Sequence, residues 1–205
     1  MSIKITTLVE NSVYGKGLQG EHGLSLLVDT GEHRLLFDTG ASDLFIRNAR
    51  ILGIDLKEVD FLVLSHGHRD HTGGLHHFLA VNDKAQVVCK RELFRPKFKD
   101  ERENGVMQPD ALDSTRFRFV DEVTELCRGV FVFPQLPVTD EEDTHFEHFF
   151  TWTEGRKQAD TFTDELALAL KQGAEVSVLS ACSHRGITNI IRAVQEYFPQ
   201  TSLKL

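Results

Sequence analysis

The sequence predicts an α+β fold, built as one domain across residues 1–205, and three observations point there. Short apolar runs of strand length recur along the chain, several of them paired around a turn. Two of those runs, at 61–64 and 176–179, end in polar turns that carry histidine, and each is followed by glycine and a helical pattern. With 205 residues, 40% hydrophobic and 26% charged, the chain matches an ordinary globular domain with a substantial core.

Residues 3–9 read as a first strand, followed by a connector at 10–20 rich in Gly, Asn and Ser. A strand at 24–28, a turn at 29–32 and the run RLLFD make a hairpin that delivers Asp38 to a strand end. A carboxylate there either caps a helix or accepts the outer N–H of a metal-binding imidazole. SDLFIRNARIL, at 42–52, is helical, with Ser42 as its cap and Phe45, Ala49 and Leu52 on one face.

The stretch FLVLSHGHRDHTGGL, at 61–75, then sets His66, His68, Asp70 and His71 directly after a buried strand. Imidazole nitrogen and carboxylate oxygen suit borderline divalent ions such as zinc, iron or manganese. Gly67 lets the backbone fold so that its neighbours converge. Surface histidines in a polar loop are the plainer alternative, but residue type, H-x-H-x-D-H spacing and the strand-to-helix setting all favour a metal. Thr72, Gly73 and Gly74 read as a helix entrance whose N–H groups favour an anion.

GGLHHFLAV makes the next helix, with Leu75, Phe78 and Leu79 inward and His76 and His77 turned away from the ligand loop. A strand at 85–89 leads into a basic cluster of Lys90, Arg91, Arg95, Lys97 and Lys99. Such a run is usually a solvated face; the sharper reading is recognition of a substrate phosphate, with Arg91 and Arg95 as contacts. Residues 100–115 read as a loop, with strands at 116–120 and 130–133, the latter halted by Pro134. His145 and His148 stand at H-x-x-H spacing without a strand-to-helix setting, and Phe149, Phe150 and Trp152 read as core or lid. DELALALKQGAEVSVL alternates with period two around Gly173, which favours a hairpin. It ends at Cys182-Ser183-His184, and a helix at 187–198 carries Ile187, Ile190, Ile191, Val194 and Phe198 on one stripe. His184 thus repeats the arrangement at 61–75, and as a third imidazole it completes a three-ligand set with one open position.

A formal net charge of -8 excludes a general nucleic-acid or anionic-membrane surface. No apolar run is long enough to cross a bilayer, and residues 1–12 contain no apolar signal core, so the expected location is cytoplasmic. Cys89, Cys127 and Cys182 are odd in number and widely spaced, which reads as reduced thiols, with Cys182 set apart by its closeness to His184.

The blocks EHGLSLLVDT, LLFDTGAS, LGIDL, VLSHGHRDHTGGL, DELALAL and CSHRGITNI resemble the metallo-β-lactamase superfamily. Within it they resemble the subgroup of dihydropterin ribofuranosylaminobenzene-phosphate synthases and related metal-dependent hydrolases. The resemblance implies a four-layer αββα sandwich with metal at the strand edges. His66, His68 and His184 would hold one ion, Asp70 and His71 would begin a second site, and Asp38 matches the family's early acidic residue. Zinc, as one or two ions, is the implied cofactor, with iron or manganese as alternatives. Arg69 stands where an aromatic is usual and Ala181 where the subgroup has Gly. Family members continue into a G-G-x-H block that this sequence, ending at Leu205, does not contain, so it is expected to lack the last strands and one second-site ligand. The implied activity is hydrolysis of a small ester or phosphate-containing substrate by metal-bound hydroxide, with Asp70 and His71 catalytic and Asp70 taking the proton. The loop containing His22, the arginines 91 and 95, or the Gly73 helix entrance would meet the substrate's anionic group. A pterin-related synthase or transferase is the alternative, and a non-catalytic metal-binding protein the third reading. Unpaired strand edges leave room for a homo-oligomer.

Overall fold

Strands whose side chains alternate between two apolar environments set the architecture. The protein is described by a computed structural model over residues 3–106 and 114–204. In chain order the first half contains β1 (Lys4–Val9), β2 (Ser25–Asp29), β3 (Arg34–Phe37), α1 (Leu44–Ile51) and β4 (Phe61–Val63). It continues with α2 (Arg69–Thr72), α3 (Leu75–Val81), β5 (Gln86–Cys89), β6 (Lys97–Lys99) and β7 (Arg102–Glu103). The second half contains β8 (Phe117–Phe119), β9 (Thr124–Cys127), β10 (Val130–Phe133), β11 (Phe149–Thr153) and β12 (Arg156–Ala159). It closes with β13 (Ala167–Gln172), β14 (Glu175–Leu179), α4 (Ile187–Tyr197) and β15 (Ser202–Leu203).

A six-stranded sheet runs β1-β2-β3-β4-β5-β8 and a five-stranded sheet runs β15-β14-β13-β10-β9. The four-stranded sheet β12-β11-β6-β7 stands apart from both. Period two on β13 explains the layers: Leu168 and Leu170 join Val28, Leu35, Val63 and Val88 between the two large sheets, while Ala167 and Ala169 pack against Ile190 and Val194 of α4. Burying each of those leucines contributes roughly 1.5–3 kcal/mol. On the other side Phe45 and Ala49 of α1 and Phe78 of α3 cover Leu36, Leu62 and Val87. The layers are therefore helix, sheet, sheet, helix, the αββα arrangement the blocks implied.

The hairpins, both buried central strands and the helices lie where the sequence places them. The N-cap of α1 is Asp43 and not Ser42, although Ser42 accepts from the Leu44 N–H at 3.1 Å, and Leu52 and Ile187 are exposed, each at an end of its helix. The span read as a loop at 100–115 holds β7, and its residues 107–113 lie outside the described ones. The strands β6, β9, β11, β12 and β15 carry no clear alternation and escape a period-based reading.

Candidate metal centre

Three parallel neighbours, β3, β4 and β5, present their C-terminal ends on one edge, and β14 of the facing sheet ends beside them. Past β4 the chain delivers His66 and His68, and past β14 it delivers His184, all buried. Their ligating nitrogens lie within 4.8 Å of one another. The Nε2 atoms of His66, His68 and His184 are buried and have no hydrogen-bond partner among the described residues. Leaving a buried polar atom unsatisfied costs about 1–3 kcal/mol, so three pointing at one spot need a reason.

The other ring nitrogens explain how the rings are held. Ser65 Oγ spends its proton on Asp38 Oδ2 at 2.7 Å, so it accepts from His66 Nδ1 at 2.9 Å, which leaves the His66 Nε2 lone pair free. His184 Nδ1 donates to the His145 carbonyl at 3.0 Å with the same result. Burial drives His66 well below its ordinary value and, with the neighbouring His184, takes His68 down to about 2. Burial likewise lowers His184 to about 4. Neutral imidazoles with free lone pairs fit a divalent ion.

Asp38 is fully buried in the left-handed region (φ 61°), which Asp tolerates better than most residues. That turn lets it accept the Ser65 N–H at 2.7 Å and His71 Nδ1 at 2.7 Å. Desolvation works against charge on His71, but the Asp38 carboxylate overcomes it and raises the ring well above its ordinary value. His71 Nε2 then faces Cys182 Sγ at 3.1 Å and Asp70 Oδ2 at 3.3 Å. Burial pushes Asp70 up, yet the hydrogen bond and charge of His71 hold it at about 2. Exposed His22 reaches Asp70 Oδ2 at 3.4 Å.

A frame that sequence reasoning missed supports these groups. Lys97 is 1% exposed; its Nζ sits 2.7 Å from Asp160 Oδ2 and 2.5 Å from Asp164 Oδ1. Asp164 Oδ2 accepts the Gly67 N–H at 2.7 Å, and Asp160 Oδ1 accepts that of Phe162, whose ring stacks 3.8 Å over His184. Glu165 accepts the N–H groups of His184 and Arg185. Gly67 is required for space, since a Cβ there would meet the Leu93 carbonyl at 2.4 Å.

A pocket of about 550 Å³ opens over the imidazoles, lined by His22, Arg69, Asp70, Lys99, Arg102 and Phe149 among others. Arg91 and Arg95, read as substrate contacts, line none of it. Arg91 lies over the Phe119 ring at 4.3 Å and Arg95 bonds Thr163 and pairs with Glu92, because the turn after β5 carries them off the sheet edge. Lys99, Arg102 and Arg69 supply the cations instead. The Gly73 helix entrance is also spent: Gly73 N donates to Arg69 O and Gly74 N to Gly40 O. His76 and His77 stack on each other outside the pocket, and His148 pairs with Asp100. A hollow of about 630 Å³ lined by Lys90, Phe133, Leu136 and Tyr197 holds no ligating cluster among the described residues, so chemistry favours the smaller one.

Metal-free protein is expected to lose stability in mild acid. The three depressed histidines bind protons near pH 6.5 only when unfolded, so stability falls as pH drops below that toward about 4 for His184 and about 2 for His68. Burial raises Glu165 to about 7, which favours the fold at lower pH, one group against three; the raised His71 is already at full effect below pH 6.5. The melting temperature of chelator-treated protein should drop by several degrees from pH 7 to pH 5, and a flat or rising trend would contradict neutral burial of the rings.

The profile described as the metallo-beta-lactamase superfamily matches residues 18–163. The chain is 29% identical to a 7,8-dihydropterin-6-methyl-4-(beta-D-ribofuranosyl)-aminobenzene-5'-phosphate synthase of Methanocaldococcus jannaschii, across 93% of this chain and 71% of that one. It is 28% identical to uncharacterized protein MJ0448 of the same organism, across 91% and 72%. The crystal structure of Tm1679, described as a metal-dependent hydrolase of the beta-lactamase superfamily, superposes with a TM-score of 0.81 at 33% identity, covering 96% and 72%. No helix among the described residues is long and apolar enough to cross a membrane.

Proposed function

The chain belongs to the metallo-beta-lactamase superfamily, and from that premise we propose that it is a metal-dependent hydrolase of small, anionic ester or phosphate-bearing substrates. The observation that carries this reading is the trio of buried, unpartnered Nε2 atoms of His66, His68 and His184. A divalent ion, zinc foremost and iron or manganese otherwise, supplies Lewis acidity and an activated water when bound by such a set. The protein's own groups do the rest. Lys99, Arg102 and Arg69 at the pocket wall receive the substrate's negative charge, and Phe149 beside His68 shields the reacting bond from bulk water. Asp70, at about 2, holds a proton poorly, so its role narrows to orienting the attacking water by hydrogen bond. Exposed His22, 3.4 Å from Asp70, is placed to pass the released proton to solvent.

Similarity to the archaeal synthase favours a second reading, a pterin-linked synthase using the same centre. One assay separates them. Chelator-stripped protein is reloaded with zinc, manganese or iron and offered phosphate monoesters, phosphodiesters, carboxylate esters and lactones. Turnover that vanishes on stripping and returns on reloading supports the hydrolase. Loaded protein inert to all of these that consumes a dihydropterin phosphate together with a ribofuranosylaminobenzene phosphate, the pterin's own phosphate departing, supports the synthase, and inertness to both leaves a metal-binding protein without catalysis.

A further inference from the structure

We propose that the hollow beside α4, away from the metal pocket, binds a small phosphate monoester carried on a flat, apolar ring. The two places share no lining residue among the described ones, so this site stands whether or not the metal reading does.

One turn serves both. Glu165 accepts the backbone N–H groups of His184 at 2.8 Å and Arg185 at 2.7 Å, and from there the side chains part, the imidazole lining the metal pocket and the guanidinium the hollow. Arg185 Nε donates to the Leu136 carbonyl and Nη1 to the Thr161 carbonyl, each at 2.6 Å, which fixes the plane of the fork and leaves Nη2 without a partner among the described residues. Lys90 donates one Nζ proton to the Pro134 carbonyl at 2.7 Å and has two left. Carbonyls hold these cations in place without neutralising them, and neither makes an ion pair among the described residues. Burial pushes both below their ordinary values; for Lys90 the carboxylates of Glu92 and Asp164 work the other way, and the Arg185 charge adds to the lowering. Half-buried like charges that sense each other are relieved by a dianion, and phosphate suits both a guanidinium edge and an ammonium. Thr163, also on the wall, accepts from Arg95 Nη1 at 3.3 Å and keeps its own proton for an acceptor.

The remainder of the hollow is apolar. Phe133 and Leu136 are buried in the layer beneath α4, and Tyr197, 50% exposed on the last turn of α4, stands edge-on to Phe133 with ring centroids 5.4 Å apart. A half-exposed phenol against a buried aromatic gives a flat body a face to stack on. The volume, about 630 Å³, is ordinary for a small-molecule site. Glu196, beside Tyr197, is the carboxylate lining the hollow among the described residues. It repels negative charge at that end, which sets the phosphate toward Lys90 and Arg185 and the ring toward Tyr197. The basic run at 90–99 thus divides, Lys99 lining the metal pocket and Lys90 the hollow.

Calorimetric titration of the full chain with phenylphosphonate, run with metal and again in chelator, tests the site, and the equivalent that persists in chelator is the one assigned to the hollow. Lys90→Gln keeps a donor for the Pro134 carbonyl but not the charge, and should weaken that equivalent about tenfold or more. Tyr197→Ala should weaken it, Glu196→Gln should tighten it, and Lys99→Gln should leave it unchanged. Inorganic phosphate, which lacks the ring, should bind more weakly than phenylphosphonate. A gain in Glu196→Gln needs a folded hollow, so it supports the site even where Lys90→Gln proves unstable. The absence of saturable binding in chelator, binding that falls with Lys99→Gln and not with Lys90→Gln, or equal affinity for inorganic phosphate overturns the proposal.

Discussion

Lys97→Met is expected to destabilise the protein by about 3–5 kcal/mol, the usual cost of removing one partner from a buried ion pair. Lys97 Nζ is the cation shared by Asp160 and Asp164, and all of them are buried. Methionine fills the same space but leaves two carboxylates without a counter-charge. Removing those charges as well, with Asp160→Asn and Asp164→Asn on the Lys97→Met background, should recover much of the loss, because the penalty belongs to the uncompensated charge. Urea denaturation measures both. A loss under about 1 kcal/mol would mean that the triad contributes no more than a surface pair. Metal affinity should fall too, since Asp164 anchors Gly67 between two candidate ligands and Asp160 anchors Phe162 beneath the third.

The role of Lys97 also shows where sequence reading stops. In KRELFRPKFK every cation has the same solvated appearance, yet Lys97 is buried, and its partners at 160 and 164 are more than sixty positions away. Long-range pairing of that kind leaves no local period. Asp38, His66, His68, Asp70, His71 and His184 were legible because each follows a short apolar strand, and strand ends on one sheet edge converge without knowledge of the loops between. Arg91 and Arg95 were misplaced for the complementary reason: a charge cluster says nothing about which way its turn leaves the sheet. DELALALKQGAEVSVL was legible as a hairpin because β13 is buried on both faces, with leucine toward one layer and alanine toward the other. Phe149, read as core or lid, lines the pocket, whereas Phe162, fully buried and stacked under His184, gave no signal, since aromatics pack in any core.

His68→Ala is expected to cost at least about 100-fold in turnover and to release the ion, given that loss of outer-shell partners alone costs 10–100-fold. His68 both lines the pocket and supplies one of the three free Nε2 atoms, and its ring is held by Phe149 at 4.8 Å and Phe162 at 5.2 Å rather than by the ion. The variant should therefore fold, which separates loss of a ligand from loss of structure. Anomalous scattering from crystals grown with zinc tests the centre most directly. Wild-type crystals should show a peak roughly 2.0–2.1 Å from Nε2 of His66, His68 and His184, and His68→Ala crystals should lack it. A wild-type map with no peak there, or one whose three Nε2 atoms are each bonded to other protein groups, would contradict the account.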